Sequence, residues 1–264
     1  MKKRSCKAFA LILAAVCGAA ALSACGQPQS SAQETTAAQT AAETAAAQTT
    51  EAPTQAVDEF VVTARLESWK LSNGSIDQEY FCQQPQLIFN SVDADEVNRE
   101  LEARCDRIYT ALENGEDMSN VSKGAEYKAY LNGKTLSLVF IDRAPNNGYV
   151  EYLVYNFDTE GGSRLSDDEL IARSGNPADS VRTNLAHSVA EYFDAKVAEM
   201  PSNHNMDAAV ATAREKTLSD EYLDMAQYYL ADRNTLSAAF AYSWIAGSGR
   251  YYDLTEVYPH LPQY

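Results

Sequence analysis

Residues 26–56, GQPQSSAQETTAAQTAAETAAAQTTEAPTQA, contain no aromatic residue, no Ile, Leu, Val or Met, and no basic residue. Such a tract buries too little apolar area to offset the entropy of ordering its backbone. Its alanines favour helix, but the interspersed Thr and Gln oppose a stable one. It is expected to be a disordered tether spanning roughly 30 Å on average as a flexible coil. Whatever folds must therefore come after it. From Asp58 onward aromatic and β-branched residues appear among interspersed charges, over about 205 residues. That length suffices for one well-cored domain or two small ones packed together.

The tether is preceded by Lys2, Lys3, Arg4 and Lys7 and then by an apolar run from Ala8 to Leu22. The run falls short of the ~20 apolar residues of a comfortable membrane span and fits the h-region of a secretory signal. It ends Leu22-Ser23-Ala24-Cys25, a Leu at −3 and small residues before a Cys, which resembles the lipobox of bacterial lipoproteins. The resemblance implies that diacylglycerol is joined to the Cys25 thiol, that the chain is cut before Cys25, and that the protein is lipid-anchored on the extracytoplasmic face of the cell membrane. The alternatives are an ordinary cleaved signal or an uncleaved anchor. The expected organisation is a signal peptide over 1–24, the lipidated Cys and its linker over 25–57, and a folded domain over 58–264.

Charge narrows the partners. Removing residues 1–24 takes away four basic and no acidic residues, leaving 17 basic against 37 acidic, a net charge of −20. Nucleic-acid binding needs a basic footprint, and docking on anionic lipid needs one too, so both are excluded. Basic partners or bound cations suit the charge, as does plain solubility at a cell surface.

The folded part begins with two extended segments, FVVTARLESWKL from Phe60 and 77–90, joined by a turn at 72–75. Pro85 predicts an edge or bend in the second. A helix is predicted from Asp93, capped by Asp93 with Glu96 and stapled by Val92 and Val97. Its stripe is Val97, Leu101, Cys105, Ile108 and Leu112, and Asn114-Gly115 ends it. Three strands follow, AEYKAYL, KTLSLVFID and YVEYLVYNFD, with turns at Asn132-Gly133 and 145–148; they read as an antiparallel meander. Ser166 to Glu169 forms a capping box before a short helix, and Pro177 opens a long one striped by Val181, Leu185, Val189, Phe193, Val197 and Met200. A third helical stretch covers roughly 206–216; then AQYYLA, a turn at 232–234, TLSAAFAYSWI and an extended tail return to β. Strands and helices are segregated, which predicts an α+β fold: a mainly antiparallel sheet with helices packed on it.

Over about residues 80–250 the order of short motifs resembles the extracytoplasmic domain shared by RsiV-type anti-sigma factors and PdaC-type peptidoglycan deacetylases. The matching residues are Pro85-Gln86-Leu87, Val97-Asn98, Leu136-Ser137-Leu138-Val139, Asn156-Phe157-Asp158, Gly161-Gly162, Leu165 with Asp167 and Asp168, Leu230 to Phe240, and Ala246-Gly247-Ser248-Gly249. An anti-sigma factor of that type also carries a cytoplasmic domain and a membrane helix, and a deacetylase carries a metal-binding catalytic domain; neither is read in this chain. The resemblance therefore implies the binding module alone, which in the anti-sigma relatives takes lysozyme, a basic protein.

Few residues point to chemistry. Cys82 and Cys105 are either a disulfide, which would contribute about 3 kcal/mol in the chain-entropy model, or two small buried thiols. His187 lies off the apolar stripe of its helix, His204 in the loop SNHN and His260 in the tail, none at metal-ligand spacing. Asp142, Asp158, Asp167 and Asp168 are acids near turns, where an acid–base pair or Ca²⁺ site can form, although SDDE also serves as a cap. Gly247-Ser248-Gly249 has no helix after it and so no phosphate site. The 16 tyrosines, eight of them from Tyr222 to Tyr264, suit a binding face or simply strands. The expectation is a non-catalytic module without cofactor or metal that binds a basic extracellular protein, such as a lysozyme-like hydrolase, or peptidoglycan. The alternatives are a peptidoglycan-modifying enzyme using clustered acids and a passive structural or accessory surface protein.

Overall fold

In a computed structural model, residues 51–264 make one compact unit, of which 56–73, 76–145, 149–200, 206–245 and 249–258 are described. The signal, Cys25, the tether, His204, His260, Tyr264 and the loop residues Ala246, Gly247 and Ser248 lie outside the described residues, as do parts of the turns expected at 72–75 and 145–148. A long hairpin of β1 (Val61–Asn73) and β2 (Ile76–Leu87) comes first, then helix α1 (Val92–Asn114) and a meander of β3 (Ala125–Asn132), β4 (Thr135–Arg143) and β5 (Val150–Asp158). Four helices follow, α2 (Asp167–Ser174), α3 (Ala178–Ala198), α4 (Asp207–Thr217) and the short α5 (Asp220–Leu223). The last strands are β6 (Gln227–Ala231), β7 (Thr235–Ser243) and β8 (Arg250–Glu256). The class is α+β, and every strand pairing is antiparallel except a single parallel bridge between β2 and β3.

The strands divide into two sheets, β1-β2-β3-β4-β5 and β6-β7-β8, stacked face to face. Strand alternation explains the stacking. Leu136, Leu138 and Phe140 of β4 pack with the α1 stripe of Val97, Leu101, Cys105 and Ile108. Val139 and Ile141 point the other way, onto Tyr229 and Ala239 of the second sheet. That sheet sends Leu236, Ala238 and Phe240 outward to Val181, Leu185 and Val189 of α3 and Leu170 of α2. The order of layers is helix, sheet, sheet, helices. The apolar run LSLVFI in β4 belongs to a strand covered on both faces, and all of β4 is buried except Arg143.

Local signals place most boundaries. Ser166 and Glu169 form the capping box of α2, Gly115 ends α1 in the left-handed region, and Pro177 stands immediately before α3. Opposite Pro85 the β1–β2 register shifts between Thr63 and Arg65, a bulge that absorbs the missing amide. The start of α1 differs from expectation. Ser91 is the cap, its hydroxyl accepting from Ala94 N, and Val92 is 79 % exposed, so no staple forms with Val97. Asp93 is freed by this shift and accepts from the amide of Arg164 at 2.8 Å. The turn between β3 and β4 is Gly133-Lys134, one residue later than Asn132-Gly133, because Asn132 is used elsewhere.

Side chains of the first sheet clasp the backbone of β6. The Gln227 amide accepts from Val154 N and donates to Tyr152 O, standing in for a sixth strand beside β5. Asn156 on β5 donates to Tyr228 O at 2.8 Å. Ser137 on β4 donates to Asn156 Oδ1 and accepts from Leu230 N. Asn132 on β3 donates to Leu230 O and Ala231 O and accepts from Asn234 N. Successive residues of β6 thus meet β5, β4 and β3 in turn: the strand crosses the first sheet rather than running along it, an orthogonal packing.

Candidate functional site

The four acids expected near turns do not meet. Pairing of Thr135 with Asp158 and of Asp142 with Glu151 puts Asp158 and Asp142 at opposite ends of β4 and β5, roughly 23 Å apart at strand rise. Asp167 and Asp168 are exposed in the first turn of α2, where the helix N-terminus favours negative charge. Asp158 accepts from Arg173 at 2.5 Å and from the amide of Glu160 at 2.8 Å. The Arg173 guanidinium holds its carboxyl below the usual carboxylate range.

This lowered value sets a pH window. The Asp158–Arg173 pair supports the fold above the unfolded carboxylate pKa near 3.9 and is lost as pH falls through the lowered folded value. Both partners are partly exposed, so screening limits the pair to about 1 kcal/mol at pH 7. Urea unfolding of wild type and Asp158→Asn should differ by that amount at pH 7 and converge only as pH falls below the lowered folded value. An equal gap below that value would show that the charge is not responsible.

Asp142 is different. It lies at the end of β4 under α1, is 7 % exposed, and meets Arg107 at 3.2 Å and Arg104 at 3.9 Å through one carboxylate oxygen, Oδ2. Its other oxygen, Oδ1, is buried and has no hydrogen-bond partner among the described residues. Burial pushes the carboxyl up from its ordinary value, against the pull of Arg107 and Arg104. Arg104 also forks onto both oxygens of Glu151, at 2.8 and 3.3 Å, and reaches Glu100 one turn back along α1 at 3.7 Å.

Asp142, Arg107 and Glu151 line a cleft of about 300 Å³ together with Tyr149 and Tyr252. Two chain connections meet beside it. The ring of Tyr149, leading into β5, stacks on Tyr251 of β8 with centroids 5.3 Å apart and planes 10° from parallel. Gly249 permits that approach, since a Cβ there would stand 1.8 Å from Tyr149 Oη. The rim thus offers exposed Arg107 and Glu151 and two tyrosines around a buried carboxylate. Such a set can take a ligand that donates hydrogen bonds or carries positive charge, with Arg107 available to an acceptor.

A second cleft, of about 410 Å³, is bordered by Asn132, Lys134, Asp158, Glu160 and Arg173. Its ions satisfy one another, Arg173 with Asp158 and Lys134 with Glu160, and they need no ligand. Cys82 and Cys105 are both wholly buried and unbridged, within one core cluster. His187 on α3 faces Glu191 at 3.2 Å. Among the described residues no group of three or more His, Cys, Asp and Glu is placed to hold a metal ion, and no helix is long and apolar enough to cross a membrane. Asp142 is the one site acid that the sequence reading shares with the cleft. Arg104, Arg107, Glu151, Tyr149 and Tyr252 were not singled out, because only the packing of α1 over β4 and the meeting of the two turns brings them together. Neither a protein-family model nor a curated protein matches the chain.

Proposed function

We propose that this chain is a lipid-anchored module displayed on the extracytoplasmic face of the cell membrane. It binds a basic protein of the lysozyme-like hydrolase kind, or a cell-wall component, without catalysis of its own. The lipobox at Cys25, the tether and the net charge of −20 after signal removal support display and a cationic partner. The observation that carries the binding reading is the Asp142 cleft, where a buried carboxylate keeps one oxygen without a partner among the described residues, beside exposed Glu151 and two tyrosines. A cationic side chain or amine entering the cleft would be drawn by the charge of Asp142 and of exposed Glu151.

The test is capture by the purified full chain of solubilised peptidoglycan fragments and of lysozyme at low salt. The expected result is retention of one of them, lost as NaCl is raised from 50 to 500 mM if the partner is lysozyme. Retention of neither contradicts the reading. Release of cleaved muropeptides, abolished by Asp142→Asn, favours a peptidoglycan-modifying enzyme instead.

A further inference from the structure

The β1–β2 hairpin has one backbone pairing with the rest of its sheet, beside a side-chain hydrogen bond of 2.9 Å between Thr63 Oγ1 on β1 and Tyr127 Oη on β3. β2 pairs with β3 through a single residue pair, Cys82 with Ala125. Beside it Gly124, at φ +107°, lies so close to Phe81 that a Cβ would stand 2.8 Å from the Phe81 carbonyl oxygen. On its other face the hairpin is covered by α1, and there Cys82 meets Cys105. Both are wholly buried in one core cluster, and their side chains are neighbours there. One turn further along α1, Tyr109 Oη donates to the carbonyl of Arg65 at 3.1 Å and lies 3.4 Å from that of Cys82. The helix turn carrying Cys105 is therefore seated over the hairpin where it joins β3. The hairpin also carries Leu66, Phe81 and Val62, which are 60, 39 and 38 % exposed.

We propose that Cys82 and Cys105 are a site of disulfide formation, and that the bridge fastens the β1–β2 hairpin to α1 beside its single backbone pairing with β3. The oxidant is a small-molecule disulfide such as oxidised glutathione. One thiolate attacks a sulfur of that disulfide and releases one thiolate; the second cysteine attacks the mixed disulfide, and the S–S bond between Cys82 and Cys105 forms as the second thiolate leaves. The two protons of the cysteines end on the two released thiols, and the two electrons reduce the glutathione disulfide. Because neither sulfur is exposed in the closed fold, exchange takes place while the hairpin is open or during folding.

The experiment refolds the full chain with oxidised and reduced glutathione, or with reductant alone. Each sample is alkylated and digested without reduction for mass spectrometry. A peptide linking Cys82 to Cys105 is expected only in the first. The thermal midpoint should be roughly 6–12 °C higher in the oxidised sample, and amides of β1 and β2 should exchange at least tenfold more slowly. Both differences should vanish in Cys82→Ala and in Cys105→Ala. If either variant fails to fold, the oxidised and reduced wild-type samples still decide. Recovery of Cys82 and Cys105 as separate alkylated peptides after oxidative refolding overturns the proposal, as does a linked peptide with no change in exchange at β1 and β2.

Discussion

Replacing Cys25 with Ser is expected to move the protein from the membrane fraction into the soluble one. Each buried CH₂ of an attached acyl chain contributes about 0.8 kcal/mol, so one chain holds marginally and two or three hold firmly. A serine hydroxyl offers no thiol for the diacylglycerol. Among the described residues no helix is long and apolar enough to cross a membrane, and a chain cut before Cys25 would carry a net charge of −20, which anionic headgroups repel. Fractionation of cells expressing both forms, with incorporation of labelled palmitate, checks this. Nearly complete loss of label and of membrane association is the expected outcome; retention of the variant at the membrane would refute lipid anchoring.

Asn156→Leu is expected to destabilise the folded domain by about 3 kcal/mol. Asn156 is 6 % exposed and both ends of its amide are used, Oδ1 accepting from Ser137 and Nδ2 donating to the backbone of Tyr228. Leucine fills similar space but leaves the Ser137 O–H without its acceptor and the Tyr228 carbonyl without the Asn156 donor, between two sheets and away from water. Each unsatisfied buried group costs about 1–3 kcal/mol. Urea unfolding should show the midpoint lowered with the slope unchanged, the sign of lost stability rather than altered compactness. Combining it with Ser137→Ala should give less than the sum of the separate effects, because the two side chains share one hydrogen bond. Additive effects would mean that the clasp does not act as a unit.

What could be read from the chain and what could not divide on physical grounds. Periodicity found the α1 stripe, the meander and α3, because apolar spacing follows the element's own geometry. Composition starts the fold near Asp58, and β1 begins at Val61. The second sheet was legible only as strands. Its placement depends on Asn132, Ser137, Asn156 and Gln227 reaching across to β6, and polar side chains on a strand look alike whether they face water or another backbone. Ser91 was passed over as a cap because Asp93 with Glu96 matches the same pattern two residues later. At the candidate site Asp142 was marked by its position near a turn. Arg104 and Arg107 were not, since they flank the buried stripe on α1 and look like solvated helix charges until β4 is placed beneath them.

The central claim, that the domain binds a cationic partner through the Asp142 cleft, is met most directly by calorimetric titration of lysozyme into the full chain and into Asp142→Asn. At 50 mM NaCl the expected result is saturable binding that weakens at least tenfold in the variant and falls with added salt. No heat of binding at 50 mM, or equal affinity for the two forms, would contradict it.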